Sequence, residues 1–489
     1  MSENLKSRTA KGIGWGFTDN ILSSGITAVA NIILARVLAP EDFGLIAMIT
    51  IFMTLSTSLV DSGFTGALTR KKNVVKADFD TVFYFNLAVS VFLYLILYFC
   101  APLIAEFFNQ PILVQIIRVL GISLIINAFG IVQRVILVRR IDFKTQALIS
   151  LTSSLTAGIT AVLMAFAGFG VWSLVVLQIS KLAVNSLLLW IFSKWHPGLS
   201  FSSASFKEMF SFGSKLLVTS IVSTLWSEMY SIIIGKMYSS SILGQYSRAD
   251  KVKGMVTSNV SMVMQKVSYP VLSSIQDENQ RQVNVYRKVL KTTVLISFTA
   301  VMGLWAVARP FTLTIFGEQW LPSVDYLRIL CFSGLFLPMM ICSANVINAD
   351  GRSDITLVLE LVKTVLGLIP VLFGIFFSVE ALLWSMVGVS VLIYAVHAYC
   401  VSKVIPYSVV SQLKDILPIF LVSALMAFIV NLMNGLDMHF VPLLALQVVS
   451  GFVIIVIIYE FVYKSEEYRD IRNELIKQFR GILCPGKSQ

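Results

Sequence analysis

Long apolar stretches dominate the chain and predict its architecture. A membrane hydrocarbon core of about 30 Å needs about 20 apolar residues of helix. Fourteen stretches of this kind, separated by short polar loops, each predict one transmembrane helix. The predicted spans are 13–35, 43–68, 81–107, 112–138, 147–166, 171–192, 207–234, 243–275, 289–316, 326–349, 355–377, 379–401, 413–432 and 441–460. The predicted fold is an all-α integral membrane protein with 14 transmembrane helices.

Basic residues alternate from loop to loop and orient the predicted bundle. The loop after the second span contains the run Arg70, Lys71 and Lys72. The loops after the first and seventh spans contain only Arg36 and Lys236. Because cytoplasmic loops are enriched in Lys and Arg, both termini are predicted to be cytoplasmic. Termini on the same side of the membrane imply an even number of spans, as predicted here.

Composition excludes several classes of protein. The 489 residues are 56% hydrophobic and 13% charged, whereas soluble domains average about 25% charged residues. The net charge of +11 lies mostly in short predicted cytoplasmic loops, so the expected partners are anionic phospholipids and not nucleic acid. Five scattered cysteines predict reduced thiols, and neither a metal site nor a cofactor is expected. The chain lacks a Walker-type phosphate-binding motif, which argues against ATP hydrolysis.

A short repeat relates two halves of the chain. Residues 32–37 (IILARV), followed by Gly44, align with residues 232–237 (IIIGKM), followed by Gly244, 200 residues later. The repeat pairs the first span with the seventh, so both copies have the same membrane orientation, as in transporters built from parallel repeats. The predicted domains are an N-lobe (1–206, helices 1–6), a pseudo-symmetric C-lobe (207–404, helices 7–12), helices 13 and 14 (405–463) and a tail (464–489).

The tail has a different pattern from the spans. Its apolar residues recur at helical spacing between basic residues, which predicts a cytoplasmic amphipathic helix on the membrane surface. A solvated terminal helix is the alternative. The apolar positions are Ile471, Leu475, Ile476, Phe479 and Ile482.

Polar residues concentrate in spans 1, 2, 7 and 8, which are equivalent places in the two halves. Polar groups in hydrocarbon are costly unless they are hydrated or partnered, so these clusters favour a shared aqueous cavity. Asn20 and Asn259 are candidates for hydrogen bonding to a polar substrate. The alternative for individual Ser and Thr residues is that they mediate helix packing.

Charged residues inside the spans are mainly basic. Lys181 lies at the centre of span 6, where a charge is costly, and this favours a functional, cavity-facing side chain. Lys363 follows Glu360 by one turn, which predicts a local ion pair. Arg134 and Arg328 lie near span ends, where long side chains can reach the interface.

A basic hydrated cavity would recruit an anionic headgroup such as a diphosphate, because Arg and Lys pair with phosphate oxygens at low dielectric. The candidate substrate-binding bases are Lys181, Lys215, Arg248, Lys251 and Lys266. The candidate proton or sodium sites are Asp19, Asp61 and His397, and for each of them a structural role is the alternative.

Several motifs resemble one known group of transporters. They are residues 37–44 (VLAPEDFG), 243–249 (LGQYSRA), 316–322 (FGEQWLP), 326–330 (YLRIL) and 351–354 (GRSD). With these motifs the chain resembles the polysaccharide flippases of the multidrug/oligosaccharidyl-lipid/polysaccharide (MOP) exporter superfamily, in the WzxC-like branch of lipopolysaccharide and capsule biosynthesis. The resemblance extends over nearly the whole chain and is weakest in the tail.

The resemblance implies two six-helix lobes around a cavity lined by helices 1, 2, 7 and 8. It also implies alternating access that moves an undecaprenyl-diphosphate-linked oligosaccharide across a bacterial inner membrane, together with polysaccharide polymerases and glycosyltransferases as partners. The family's cavities have bases on helices 1, 2 and 8, and Arg248 matches the helix 8 position. Helices 1 and 2 instead have Asp19 and Asp61.

Two alternatives to a flippase remain at this point. A cation-coupled multidrug exporter of the same superfamily would depend on one intramembrane carboxylate. A glycan polymerase or ligase would need acid and base residues at the outer face, and the predicted outer loops contain few of them.

Overall fold

A computed structural model describes residues 22–61, 63–71, 73–462, 467–470, 472–474 and 476, and these residues form helices and no strand. The α-helices are α1 (Leu22–Val37), α2 (Pro40–Asp61), α3 (Phe64–Arg70), α4 (Lys76–Phe107), α5 (Leu113–Arg139), α6 (Phe143–Phe166), α7 (Trp172–Ser193), α8 (Ser203–Met237), α9 (Ser240–Ser273), α10 (Asn279–Ile315), α11 (Ser323–Gly334), α12 (Phe336–Ala349), α13 (Ser353–Leu366), α14 (Leu368–Phe376), α15 (Val379–Val404), α16 (Val409–Leu432) and α17 (Phe440–Ile457). A 3₁₀ turn (Glu318–Trp320) follows α10, another (Met433–Gly435) follows α16, and α17 ends in a π-helical turn (Ile458–Val462).

The protein is a multi-pass membrane protein. Within the described residues, 12 helical segments are long and apolar enough to cross a membrane. Two of the 14 predicted spans are not among them. The described part of span 1 is the shorter apolar helix α1. Span 8 corresponds to α9, which has 34 residues but contains several charged side chains.

Three predicted spans are formed by two helices each. The predicted span 43–68 is interrupted between α2 and α3. Spans 326–349 and 355–377 are interrupted where α11 ends at Gly334 and α13 ends at Leu366. Proline has no N–H group and its ring clashes with the carbonyl four residues earlier. Pro338 and Pro370 lie four residues after these two ends, which accounts for both interruptions.

The structure divides into two compact units, Met1–Ser247 and Arg248–Gln489. In the first unit α4 packs on α5, α6 packs on α7, and α8 packs on α2, α3 and α4. In the second unit α10 packs on α16 and α17, and α15 packs on α11, α12 and α14. The lobe boundary at residue 206 stays a prediction, as does the placement of the tail on the membrane surface.

The first unit is held together around the short helix α3. Phe64 and Leu68 are fully buried in a core with Val82 of α4 and Val132 of α5. Arg139, at the end of α5, donates hydrogen bonds from Nη1 to the carbonyl oxygens of residues 68, 69 and 71 at 2.8, 3.1 and 2.7 Å. The last carbonyls of a helix have no partner within it, so Arg139 caps α3.

An ion-pair cluster fixes the loop that follows α3. Lys71 Nζ lies 2.9 Å from Glu208 Oε2 on α8 and 3.1 Å from Asp78 Oδ1 on α4. The hydrogen bond to Glu208 raises the pKa of the Lys71 ammonium above its usual value, so the lysine is charged at neutral pH. This loop therefore links α3, α4 and α8.

Several smaller predictions are confirmed. Lys363 Nζ lies 3.0 Å from Glu360 Oε2, as the spacing predicted. Cys100, Cys331 and Cys342 are free thiols, and so is Cys400. Cys484 lies outside the described residues.

The repeat detected in the sequence is confirmed by matching helix ends. α1 ends at Val37 and α8 at Met237, and the next helices begin at Pro40 and Ser240. Both pairs of boundaries are offset by the same 200 residues. The same local sequence pattern thus forms the same helix–turn–helix in both places.

The two repeat glycines explain part of this pattern. A Cβ atom on Gly44 would overlap the carbonyl of Ser240, and a Cβ atom on Gly244 would overlap the carbonyl of Pro40. Both contacts lie within the first unit. The first turns of α2 and α9 therefore approach each other closely and reciprocally, and neither glycine can be enlarged without moving backbone.

We expect Gly44→Ala to destabilise the purified protein by about 1–3 kcal/mol, the usual cost of overpacking. A lower melting temperature in detergent would show this. Gly254→Ala is the matched control, because a Cβ atom there meets no atom within 4 Å. Equal melting temperatures for both variants would contradict the predicted close approach.

Candidate functional site

Three polar cavities lie next to one another in the first unit. The largest has a volume of about 500 Å³ and is lined by α2, α3, α5 and α8. The second, of about 280 Å³, lies between α5, α6 and α7, and the third, of about 180 Å³, between α2, α5 and α7. Arg134 lines the first and second, Thr57 the first and third, and Leu182 the second and third. We refer to these three cavities as the polar chamber.

The helix interruption at Gly63 helps to form the largest cavity. Gly63 has a φ of 70°, in the left-handed region that favours glycine, and it separates α2 from α3. A Cβ atom at Gly63 would lie 2.7 Å from Gly213 Cα, so α8 approaches closely here. Interrupted helices inside membranes are tolerated where they line a cavity. Gly63 and Gly66 both line this one.

Asp61 is the acidic residue of the chamber. It is the last residue of α2 and lines the largest cavity with Thr57 and Ser58. Its Oδ1 atom is buried and accepts no hydrogen bond from the described residues. A buried carboxylate oxygen without a protein donor is costly unless a proton, a cation or water satisfies it. Asp61 therefore lines the cavity with a carboxylate group of which one oxygen has no donor among the described residues.

Arg134 is the base that joins two of the cavities. It lies on α5, five residues before the end of that helix, and its side chain is exposed towards both spaces. Its Nη2 atom donates a hydrogen bond of 3.3 Å to Asn185 Oδ1 on α7. Arg134 forms no ion pair within 4.0 Å in the described part of the chain, although Asp61 lines the same cavity. Its charge is thus available to a ligand in the chamber.

Lys181 lies near the middle of α7, as predicted for the centre of span 6. It is half-buried and lines the second cavity together with Arg134 and Asn185. Its Nζ atom donates a hydrogen bond of 3.2 Å to Thr27 Oγ1 on α1. An ammonium group at this depth is costly in hydrocarbon. The polar cavity and the Thr27 hydroxyl supply the partners that lipid would not.

The chamber combines charges with neutral hydrogen-bonding groups. Arg134 and Lys181 supply two positive charges, and Asp61 supplies one negative charge. The neutral groups are the side chains of Thr50, Thr54, Thr57, Ser58, Thr65, Ser123, Asn127, Gln146, Ser150, Gln178, Asn185 and Ser220. Guanidinium and ammonium groups suit phosphate oxygens, and amides and hydroxyls suit hydroxyl-rich ligands. The largest cavity is within the range of about 300–1,000 Å³ typical of ligand pockets.

Arg248 has a different environment, in the second unit. Its guanidinium carbon lies 4.8 Å from the ring centroid of Phe316 and 4.6 Å from that of Trp320. Both rings belong to the motif at 316–322, and Trp320 is fully buried. Stacking of a guanidinium on aromatic faces is a favourable cation–π contact. The motif therefore orients Arg248.

The other predicted residues of the second unit do not converge on one cavity within that unit. Lys251, Asn259 and Lys266 are exposed on α9, and the Asn259 amide donates to the Met255 carbonyl at 2.8 Å. His397 is buried in α15, and its Nδ1 atom has no hydrogen-bond partner among the described residues.

Three predicted site residues are not located by the structure. Asp19 and Asn20 lie outside the described residues, as does the side chain of Lys215 on α8. Their proposed roles stay predictions.

Sequence reasoning missed Arg134 as a site residue because it was assigned to a span end. A signal was present nonetheless. Ser123, Asn127 and Arg134 recur at intervals of four and seven residues, which places them on one face of a helix. All three line the chamber. A polar stripe on span 4 would have identified the arginine.

Comparisons with known proteins show similarity to polysaccharide biosynthesis proteins. A family model described as "Polysaccharide biosynthesis protein" matches residues 33–325. The lipopolysaccharide biosynthesis protein WzxC of Escherichia coli strain K12 is 26% identical over 378 residues, which cover 76% of this chain and 76% of WzxC.

Solved structures show the same fold. The lipid II flippase MurJ, in an inward closed conformation, superimposes with a TM-score of 0.72 and 16% identity, covering 91% of this chain and 98% of MurJ. An inward-facing multidrug resistance transporter of the MATE family, in the MOP superfamily, gives a TM-score of 0.57 with 15% identity, covering 85% of this chain and 98% of the transporter. At these identities the matches establish the fold alone.

Hydration of the chamber can be tested with a single cysteine. In a chain whose own cysteines are replaced by alanine, we expect Ser220→Cys to react with a membrane-impermeant maleimide, because Ser220 lines the largest cavity. Ser90→Cys is the control, since Ser90 is fully buried and bonds to the Leu87 carbonyl. If both cysteines were equally unreactive in intact and permeabilised membranes, the packing alternative would hold.

Proposed function

Because the chain belongs to the polysaccharide biosynthesis protein family and is a membrane transporter rather than an enzyme, we propose that it is a flippase for lipid-linked oligosaccharides. The proposed substrate is an oligosaccharide linked to undecaprenyl diphosphate. Transport proceeds by alternating access, from the cytoplasmic to the outer leaflet of a bacterial inner membrane. The product serves the biosynthesis of lipopolysaccharide, capsule or exopolysaccharide.

The observation that carries this proposal is the polar chamber of the first unit. Arg134 and Lys181 line one cavity at the depth of predicted membrane spans, with amide and hydroxyl groups around them. A diphosphate-linked sugar presents the two complementary features, phosphate oxygens and many hydroxyl groups. In water-excluding surroundings the charge-assisted bonds to phosphate are stronger than neutral hydrogen bonds. The chamber therefore offers the polar head a route that hydrocarbon denies it.

Each predicted residue has a proposed role in this route. Lys181 and Arg134 hold the diphosphate, and Asn20 and Asn259 hydrogen-bond the sugar hydroxyls. Asp61 is the proposed coupling residue for H⁺ or Na⁺. Further bases along the substrate path are Lys215, Arg248, Lys251 and Lys266, and further candidate coupling residues are Asp19 and His397.

The membrane arrangement proposed with this function has 14 transmembrane helices and both termini in the cytoplasm. The predicted span 13–35, whose described part is α1, and α9 complete the count, because α9 at 34 residues is long enough to cross. The alternating distribution of Lys and Arg in the loops supports the orientation. Anionic phospholipids are the proposed neighbours of these loops, and polymerases and glycosyltransferases the proposed partners.

We expect Lys181→Met to reduce polymer export at least about tenfold, since one charge-assisted hydrogen bond contributes about 1.5–3 kcal/mol. Lys181→Arg, which keeps the positive charge, should retain most of the activity. Export is measured as surface polymer per unit of membrane-inserted protein, together with the lipid-linked precursor that accumulates in the cells.

The matched control is Lys363→Met. Lys363 pairs with Glu360 on an exposed part of α13, so removing its charge should leave export unchanged. Normal export by Lys181→Met at normal membrane levels would exclude Lys181 from the substrate path.

We expect Asp61→Asn to lower export at least about tenfold and to abolish its dependence on an imposed H⁺ or Na⁺ gradient, because an amide binds neither ion as a carboxylate does. Export is followed in membrane vesicles under each gradient separately. Glu360→Gln is the control, because it also replaces one carboxylate by an amide. If export by Asp61→Asn still depended on the gradient, another residue would couple the ion to transport. If this variant lost dye efflux and exported polymer normally, the result would favour the multidrug alternative.

A further inference from the structure

A cluster of three bases lies at the start of α10, in the second unit. Arg287, Lys288 and Lys291 lie on its third and fourth turns, just where the predicted span begins at residue 289. α10 has 37 residues and is therefore about 55 Å long at 1.5 Å per residue, much longer than a hydrocarbon core of about 30 Å. This basic cluster is thus expected at the level of the lipid headgroups.

Arg287 is already neutralised by the protein. Its Nε and Nη2 atoms donate to both carboxylate oxygens of Asp415 at 2.5 and 2.6 Å. The Tyr407 hydroxyl donates to the same carboxylate at 2.5 Å. Burial raises the pKa of the Tyr407 phenol, so it stays protonated and keeps this hydrogen bond. Arg287 therefore has a positional role.

The two lysines are paired instead with the C-terminal tail. Lys291 Nζ lies 2.5 Å from Glu467 Oε1, and Lys288 Nζ lies 2.6 Å from Asp470 Oδ2. Only 8% of the Glu467 side chain and 19% of Lys291 are exposed. The five side chains, with Asn284, surround a cavity of about 390 Å³. The carboxylates of Glu467 and Asp470 thus bind the ammonium groups of Lys291 and Lys288 beside this cavity.

The described part of the tail also contacts the π-helical turn that ends α17. Tyr468 stacks on Tyr459 with ring centroids 5.7 Å apart, and Arg472 pairs with Glu460 at 2.5 Å. Ion pairs with exposed members contribute little to stability, and Lys288 and Asp470 are both more than half exposed. An anionic membrane surface attracts each nearby Lys or Arg. It can therefore compete with Asp470 for Lys288, the exposed member of this cluster.

We propose that Lys288 and Lys291 form a binding site for a lipid phosphate at the cytoplasmic surface, and that Glu467 and Asp470 of the tail occupy this site in the conformation described. The tail carboxylates stand in for phosphate oxygens, and the cavity beside them accommodates the remainder of a headgroup. The site is independent of the polar chamber, since none of its residues lines that chamber. Two sources supply this chemistry, an anionic phospholipid and the diphosphate of a lipid-linked substrate.

The test uses the purified full-length protein in detergent, titrated with short-chain phosphatidylglycerol, short-chain phosphatidylcholine and inorganic diphosphate. Binding is measured by thermophoresis. We expect the double variant Glu467→Gln, Asp470→Asn to bind phosphatidylglycerol at least about fivefold more tightly than the unaltered protein, because the lysines lose their internal competitors. Adding Lys288→Gln and Lys291→Gln should abolish this gain.

The matched control is Glu208→Gln with Asp354→Asn. It makes the same change in net charge by removing two other acids that form ion pairs, with Lys71 and Arg352. A preference for phosphatidylglycerol over inorganic diphosphate would identify a phospholipid site, and the reverse preference would identify the diphosphate of the substrate. Equal tightening in the control variant, or no tightening in the tail variant, would overturn the proposal. Equal tightening for phosphatidylcholine would show binding to exposed apolar surface and would also overturn the proposal.

Discussion

The structure depends on one electrostatic constraint, that a charged side chain within the hydrocarbon must meet either a partner or water. The second unit meets the constraint mostly with partners. Lys363 binds Glu360, and Arg248 lies over two aromatic rings. In the first unit, by contrast, Asp61, Arg134 and Lys181 line cavities. This difference is the reason that we propose the polar chamber of the first unit as the transport site.

The largest cavity of the chamber lies where the chain is interrupted between α2 and α3. The left-handed residue at position 63 ends α2 directly after Asp61 and begins a short helix that Arg139 caps from α5. The hydrophobic core around Phe64 then fixes this short helix against α4 and α5. Backbone interruption, capping and packing together place a carboxylate beside a polar cavity. Removing any of the three would leave Asp61 without its present environment.

The sequence predicted those features that depend on local composition. Apolar length identified the 12 segments that are long and apolar enough to cross a membrane, although not the interruptions within three of them. The cost of an isolated ammonium in hydrocarbon identified Lys181 as a residue that lines a cavity. The repeat at residues 32–44 and 232–244 was visible because close helix contacts demand glycine at equivalent positions. These inferences need no knowledge of residues distant in the chain.

Features that depend on distant contacts could not be predicted in the same way. The span 43–68 looked continuous because its interruption at Gly63 is supported by Gly213 of α8. Arg134 looked like a residue near a helix end because only the packing of α5 against α7 shows that it lines two cavities. Arg248 matched a motif, but its aromatic neighbours come from another motif about 70 residues later. The pairing of the tail with α10 depends on ion pairs whose partners lie far apart in sequence.

The central claim is that positive charges in a hydrated chamber allow a phosphorylated lipid head to cross the membrane. The most direct measurement uses proteoliposomes that contain only the purified protein and a lipid-linked oligosaccharide synthesised on the inner leaflet. A lectin added outside reports the arrival of sugar at the outer leaflet. We expect lectin binding with the unaltered protein and none above empty liposomes when Arg134 and Lys181 are both replaced by methionine. Equal translocation by that correctly folded double variant would contradict it.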